Sequence, residues 1–186
     1  MQKWYLALVV GFASAPVWAD VYTIDSRHTH PSYEISHLGW SIQRGRFDNV
    51  TGSISLDRGT KTGSVEVSID AASISTGVSK LDEHLRSADF FNVAKYPTIT
   101  FKATKMIFKD DTLSAVHGDI SILGVTRPAT LTVTHFACGV NPMLKKDVCG
   151  AEASAYIKRS EFGMTKFLPG LGDDVKLLIN VEAIKD

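Results

Sequence analysis

Apolar and polar residues alternate along most of the chain. In the clearest case, over residues 64–70, Val65, Val67 and Ile69 are each separated by one polar residue. Because successive side chains of a β-strand point to opposite faces of its sheet, this period of two indicates a half-buried antiparallel strand. Similar alternation between turn-forming residues predicts further strands over residues 21–24, 32–37, 47–56, 98–108, 113–123, 129–137, 151–158 and 175–184.

One segment, residues 79–86, departs from this alternation. Leu81 and Leu85 are four residues apart, and Ser79 and Asp82 have the spacing of a capping box, so the segment predicts a short helix. Phe90 and Phe91 follow it and require an apolar surface to pack on. About eight or nine strands with one helical connection predict an all-β fold, a closed antiparallel β-barrel, which has no free sheet edges and has room for one small ligand.

The N-terminal residues have the composition of an export signal. Lys3 precedes an apolar run over residues 6–13, and Val17, Trp18 and Ala19 resemble a cleavage site. We therefore expect a signal peptide over residues 1–19 and a mature domain over residues 20–186, with no integral membrane span because the apolar run is too short. Asp20 stands where a lipoprotein signal requires Cys.

The charge balance argues against a nucleic-acid partner. The chain has 20 Lys and Arg against 20 Asp and Glu, and removal of residues 1–19 leaves 19 against 20. Binding to nucleic acid requires a clustered excess of basic residues to neutralise phosphates. With 44% hydrophobic residues, the chain is instead suited to forming one core of substantial size.

The chain contains two cysteines, Cys138 and Cys149, on either side of a short segment with Gly139, Asn141 and Pro142. In an exported chain this pair predicts one structural disulfide, which stabilises the fold by roughly 2 to 3 kcal/mol. No C-x-x-C motif suggests a redox role, and two thiols alone make a poor zinc site.

The sequence lacks the common catalytic motifs, including G-x-S-x-G, H-E-x-x-H and the P-loop, so we expect neither catalysis nor a cofactor. His28 and His30 have a spacing that metals use, but no further ligand set completes a site, and no metal is expected. Near the C-terminus, the apolar residues between 162 and 172 predict a loop that either packs on the barrel end or forms a mouth or lid.

Several separated motifs, in order along the mature chain, resemble the YceI-like polyisoprenoid-binding proteins. The matching stretches are residues 28–30, 37–39, 45–47, 82–93, 96–97, Phe101, 118–120, 123–128 and 159–164. This resemblance implies a lipocalin-like β-barrel in the bacterial periplasm. It also implies an apolar interior that holds a polyisoprenoid, an isoprenoid quinone or a fatty-acid-like ligand.

Candidate ligand-binding residues follow from the alternation and from these motifs. Inward apolar positions on the predicted strands are Phe47, Phe101, Ile120, Leu131 and Val133, with ordinary core packing as the alternative for each. Arg86, Arg127 and Arg159 are candidates for binding a head group at the mouth. The alternative for these arginines is pairing with Asp82, Asp89 or Asp119.

Two other functions compete with a periplasmic lipid carrier. One is an enzyme that acts on a bound lipid through His84 or His135. The other is an outer-membrane barrel, which the missing aromatic girdles and the C-terminal Ile184-Lys185-Asp186 argue against. The sequence leaves open whether two barrels pair as a homodimer.

Overall fold

The alternating segments form β-strands in the computed structural model, which describes residues 19–186. The signal peptide predicted over residues 1–19 therefore lies outside the described residues, apart from Ala19. The strands are β1 (Asp20–Ile24), β2 (Ser32–His37), β3 (Ser41–Phe47), β4 (Val50–Asp57), β5 (Thr62–Asp70), β6 (Ile74–Ser75), β7 (Thr98–Lys109), β8 (Thr112–Ile122), β9 (Val125–Asn141), β10 (Lys146–Lys158) and β11 (Leu171–Lys185). One helix, α1 (Ser79–Arg86), lies between β6 and β7.

The strands pair in antiparallel fashion and close into a barrel. β11 pairs with β10 along one edge, and along its other edge it pairs with β2 near its start and with β1 near its end. The pairs β1 with β2, β3 with β4, and β5 with β6 each act as one strand interrupted by an irregular segment, which gives eight strands around the ring. The predicted closed barrel is therefore confirmed.

Several strand predictions differ from the structure in their boundaries. The strand predicted over residues 47–56 is interrupted at Asp48 and Asn49, and a further strand, β3, precedes the interruption. β9 and β10 extend beyond their predicted ends, so Cys138 and Cys149 lie inside strands as direct partners rather than beside a loop. Their side chains form the predicted disulfide.

The predicted helix is present, but its capping is different. Ser79 is the first helical residue, Val78 precedes it without a side-chain cap, and the expected Ser79–Asp82 capping box is absent. Asp82 instead accepts hydrogen bonds from the backbone N–H of Thr76 (2.8 Å) and from its hydroxyl (2.6 Å). The Asp82 carboxylate thus ties the helix to the segment that leads into it from β6.

The disulfide end of the barrel is closed by apolar side chains. Tyr22, Leu56, Cys149 and Ala183 are buried together there, with Phe108 and several other partly buried apolar residues packed against them. Within residues 19–186, no helix is long and apolar enough to cross a membrane.

Candidate functional site

The inward positions of the strands enclose an apolar cavity of about 830 Å³. β11 illustrates the pattern, because Val175, Leu177, Ile179, Val181 and Ala183 all line the cavity. Eight residue steps at about 3.3 Å each, on a strand tilted by about 40°, correspond to roughly 20 Å along the barrel axis. The cavity is therefore elongated, and its shape suits an extended chain.

The five apolar residues predicted from the alternation all line this cavity: Phe47, Phe101, Ile120, Leu131 and Val133. Phe47, Phe101 and Ile120 are also buried against the main apolar core, where Phe47 packs edge-on against Phe91 at 5.5 Å. Their contact with a ligand remains a prediction.

The exposed lining residues show where the cavity opens. Of all the lining residues, six are exposed to solvent: His37, Leu38, Gln43, Leu81, His84 and Phe167. They belong to three segments: the β2–β3 hairpin, helix α1, and the loop of residues 163–170 that leads into β11. We call this opening the mouth. It lies at the end where the predicted mouth or lid loop is found.

Contacts between the three segments hold the mouth in shape. The backbone N–H of Leu38 donates to the carbonyl of Gly170 at 2.7 Å, which joins the hairpin to the loop. The ring of Phe167 packs against His84 of α1, with ring centroids 6.0 Å apart. Asp89 lies 3.6 Å from the imidazole of His84 and 3.5 Å from the ammonium of Lys166, so it pairs with both the helix and the loop.

Arg159 lies in the cavity lining, but its guanidinium is hydrogen-bonded to backbone carbonyls of the protein. The side chain is 3% exposed and donates to the carbonyls of Gly172 (2.7 Å), Met164 (2.8 Å) and Leu171 (2.9 Å). Burial lowers the pKa of this guanidinium. Arg159 therefore joins the start of β11 to the turn that follows β10.

The other two candidate arginines lie outside the cavity lining. Arg86 donates to the carbonyls of Ala72 (2.8 Å) and Ile74 (3.0 Å), which anchors α1 to the short turn before β6. Arg127 is exposed on β9, and its side chain donates to the carbonyl of Thr126 at 3.4 Å. The sequence showed that both side chains are charged, but it could not show which backbone carbonyls accept their hydrogen bonds.

Tyr33 is a cavity-lining residue that the sequence analysis missed. Burial, together with the negative charge of Asp82, raises the pKa of its phenol to about 12. Tyr33, Ile35 and His37 alternate along β2 and all line the cavity. The same alternation that predicted Phe101 and Leu131 could therefore have identified Tyr33.

The two histidines considered for catalysis lie in different places. His84 lies at the mouth. His135 is exposed on β9 and lies outside the cavity lining. In residues 19–186, no three His, Cys, Asp or Glu side chains come together in a way that could hold a metal ion.

The fold and its interior define a small closed antiparallel barrel built around an elongated apolar cavity. The chain belongs to the YceI-like family, since the family model described as "YceI-like domain" matches residues 22–183.

Comparisons with individual proteins agree with this assignment. A UPF0312 protein of Pseudomonas aeruginosa is 34% identical, covering 100% of this chain and 99% of its own. The crystal structure of the Campylobacter jejuni YceI protein has a TM-score of 0.66 at 26% identity, covering 100% of this chain and 99% of its own. A polyisoprenoid binding domain from Saccharophagus degradans, implicated in plant cell wall breakdown, has a similar fold, with a TM-score of 0.64 at 14% identity over 91% of this chain and 100% of that domain.

Proposed function

We propose that this protein is a periplasmic carrier that holds the tail of a polyisoprenoid or a similar long-chain lipid inside the barrel. The observation that carries the proposal is the elongated apolar cavity of about 830 Å³ with an opening at one end. Each CH₂ group removed from water contributes about 0.8 kcal/mol, so a long tail is barely soluble alone and is stabilised by such an interior. The Saccharophagus degradans domain, described as polyisoprenoid binding, has the same fold.

The polar groups of the lining favour a neutral head group. Arg159 is the single Lys or Arg in the lining formed by the described residues, and its guanidinium donates to three backbone carbonyls. A pyrophosphate would require free cationic donors at the mouth. Tyr33 and Gln43 instead offer neutral hydrogen-bonding groups. An isoprenoid quinone or an uncharged prenyl lipid therefore fits this lining better than a prenyl pyrophosphate.

Two observations support the proposed periplasmic location. The export-signal composition of residues 1–19 is the first. The second is the Cys138–Cys149 disulfide, because such bonds persist in oxidising compartments. Fractionation of cells by osmotic shock tests the assignment, and we expect the protein in the periplasmic fraction.

The outer surface of the barrel favours a carrier over an outer-membrane barrel. Glu66 on β5 and Lys102 on β7 form a cross-strand ion pair on the outward face, while Val65 and Val67 line the cavity. Outer-membrane barrels have the reverse arrangement, with an apolar exterior and a polar interior.

The first test is the identity of the natural cargo. Protein purified from its own periplasm is weighed by native mass spectrometry, and the bound material is then extracted and identified by lipid mass spectrometry. We expect one neutral prenyl lipid per barrel. A protein that is empty, and that accepts no prenyl or acyl chain on titration, would contradict the carrier function.

The second test places the ligand in the cavity. Retinol, an isoprenoid alcohol that fluoresces more strongly in apolar surroundings, is titrated into the delipidated protein. Ala153→Trp, a lining position on β10, is expected to weaken retinol binding by about tenfold or more, because the indole occupies cavity volume. Glu152→Trp, at the neighbouring exposed position, is the matched control and should bind within about twofold of wild type. Equal weakening by both variants would argue against binding inside the barrel.

Turnover is tested with the same preparation. We expect a prenyl ester incubated with the protein to be recovered intact. Hydrolysis by wild type that disappears in His84→Ala would show an enzyme rather than a carrier.

A further inference from the structure

Exposed apolar side chains are concentrated around the mouth. Of the twelve large hydrophobic residues exposed in residues 19–186, seven lie on the three segments that form the mouth or directly next to one of them. The β2–β3 hairpin contributes Leu38, Trp40 and Ile42, of which Trp40 is 83% exposed. Val78 and Leu81 belong to α1 and its preceding residue, and Phe167 and Leu168 to the loop. We call these seven residues the mouth rim.

Two residues of the mouth rim have an unfavourable backbone conformation. Leu38 and Phe167 have φ angles of 54° and 63°, in the left-handed region that bulky side chains rarely adopt. Such conformations are unfavourable for bulky side chains and occur preferentially at functional sites. Here Leu38 and Phe167 are nonetheless 48% and 54% exposed, although Phe167 also packs against His84.

The charges of these segments and the residues beside them are balanced. Residues 37–44, 78–90 and 161–170 together contain four basic residues (Arg44, Lys80, Arg86 and Lys166) and four acidic ones (Asp82, Glu83, Asp89 and Glu161). Arg44 is paired with Glu34, and Lys166 with Asp89. A surface of this kind matches a zwitterionic layer of head groups rather than a strongly charged partner.

We propose that the mouth rim docks on the surface of a phospholipid bilayer, so that the cavity opens directly into the lipid. The inference rests on the proposed function, because a rim continuous with an apolar cavity gives a water-insoluble tail a path that avoids water. Trp40 suits this role, since Trp side chains favour the boundary between acyl chains and head groups. The driving force is burial of apolar area, with little contribution from anionic lipid.

Trp40 also reports the docking directly. The other two tryptophans, Trp4 and Trp18, belong to the predicted signal peptide, so residues 20–186 contain Trp40 alone. These residues include every strand of the barrel. We expect the Trp40 emission to shift to shorter wavelength on addition of phosphatidylcholine vesicles, and the protein to float with the vesicles in a density gradient. In about 0.15 M salt, replacing part of the lipid by phosphatidylglycerol should change the vesicle-bound fraction by less than about twofold.

The variant Trp40→Ser/Val78→Ser separates docking from cargo binding, because neither residue lines the cavity. We expect its vesicle partitioning to fall by about tenfold or more, while retinol binding in vesicle-free buffer is unchanged. Val140→Ser/Met143→Ser removes exposed apolar side chains (67% and 90%) from the β9–β10 hairpin at the disulfide end. This matched control should partition like wild type.

Three results would overturn the inference. One is the absence of both flotation and a Trp40 shift in a protein that binds retinol, and another is flotation that survives Trp40→Ser/Val78→Ser. The third is a Trp40 shift without vesicles that grows with protein concentration and accompanies a doubled mass in light scattering, since a second copy would then cover the rim. Failure of retinol binding is a separate result, which counts against the proposed function.

Discussion

Gly45 lies directly opposite Tyr33 across the β2–β3 pair, and the Tyr33 ring occupies the space that a larger side chain at position 45 would need. A Cβ at position 45 would lie 2.6 Å from the Tyr33 hydroxyl oxygen and 2.7 Å from its Cε1 atom. Position 45 therefore requires glycine because of its cross-strand neighbour. Through this contact Gly45 determines where the phenol stands in the cavity.

The first prediction concerns this pair. Gly45→Ala should lower the free energy of unfolding by about 1 to 3 kcal/mol, because the Tyr33 ring must move from its packed position. In a Tyr33→Ala background the same change should be neutral or slightly stabilising, since alanine restricts the unfolded chain more than glycine does. Urea unfolding of wild type, the two single variants and the double variant gives the coupling free energy between positions 33 and 45. Equal costs in both backgrounds would disprove the steric explanation.

The second prediction follows from the raised pKa of Tyr33. Its pKa of about 12 in the folded protein exceeds the ordinary value of 10, so above pH 10 the folded state keeps a proton that the unfolded state has lost. The contribution of Tyr33 to the free energy of unfolding is therefore fully present below about pH 10. It falls by about 2 kcal/mol as the pH rises towards 12. Tyr33→Phe removes the titrating group. Urea unfolding from pH 9 to 12 should show a shallower decline for Tyr33→Phe, whereas parallel curves would mean that the phenol titrates normally.

The third prediction concerns Arg159. Arg159→Met should lower the free energy of unfolding by about 2 to 4 kcal/mol, because the buried or partly buried carbonyls of Gly172, Met164 and Leu171 lose their donor. Arg159→Lys should recover little, since one ammonium cannot reproduce the geometry of the planar guanidinium. Urea unfolding measures both variants. Exposed Arg127→Met is the control and should stay within about 0.5 kcal/mol of wild type. If Arg159→Met changes the free energy of unfolding only mildly but greatly lowers the affinity for an anionic lipid, Arg159 instead binds the lipid head group.

The fourth prediction concerns the disulfide. Reduction of Cys138–Cys149, which are 11 residues apart, should lower the free energy of unfolding by about 2 to 3 kcal/mol, because the unfolded chain regains freedom. Retinol binding by the reduced, folded protein should remain within about twofold, because the bond joins two strands that are already hydrogen-bonded at that position. Urea unfolding with and without reductant, alongside the retinol titration, measures both effects. Loss of retinol binding on reduction would show that the disulfide shapes the cavity itself.

The strands, and the face of each strand that points to the interior, were predictable where apolar residues alternate without interruption. Val65, Val67 and Ile69 on β5 are an example, and all three line the cavity. β3 escaped prediction because its inward positions, Gln43, Gly45 and Phe47, do not form such a stripe. The apolar surface missing at Gly45 is supplied by Tyr33 from the neighbouring strand. The pattern along one strand does not show which side chain of a neighbouring strand will pack against it.

The arginines show a similar limit. Motif position made Arg86, Arg127 and Arg159 equal candidates for a head-group site. In the structure, Arg159 is buried on three carbonyls, Arg86 anchors α1, and Arg127 remains exposed. A sequence shows where a charge stands along the chain, whereas its acceptors come from segments that only folding brings near.

By itself, the sequence determined the all-β class, the closed barrel, the disulfide and the five apolar positions that face the interior. The strands and their inward faces follow from the period of two, a local property of the extended backbone. The closed barrel was expected from the number of strands, and the disulfide from the two cysteines of a chain with an export signal. Only the tertiary structure decided where the cavity opens. The mouth joins residues 37–43, helix α1 and residues 163–170, which are far apart in the chain. The first and the last meet because β11 pairs with β2, and α1 joins them because it follows β6, which pairs with β3. The register between strands brings them together, and it depends on long-range pairing that no local pattern contains.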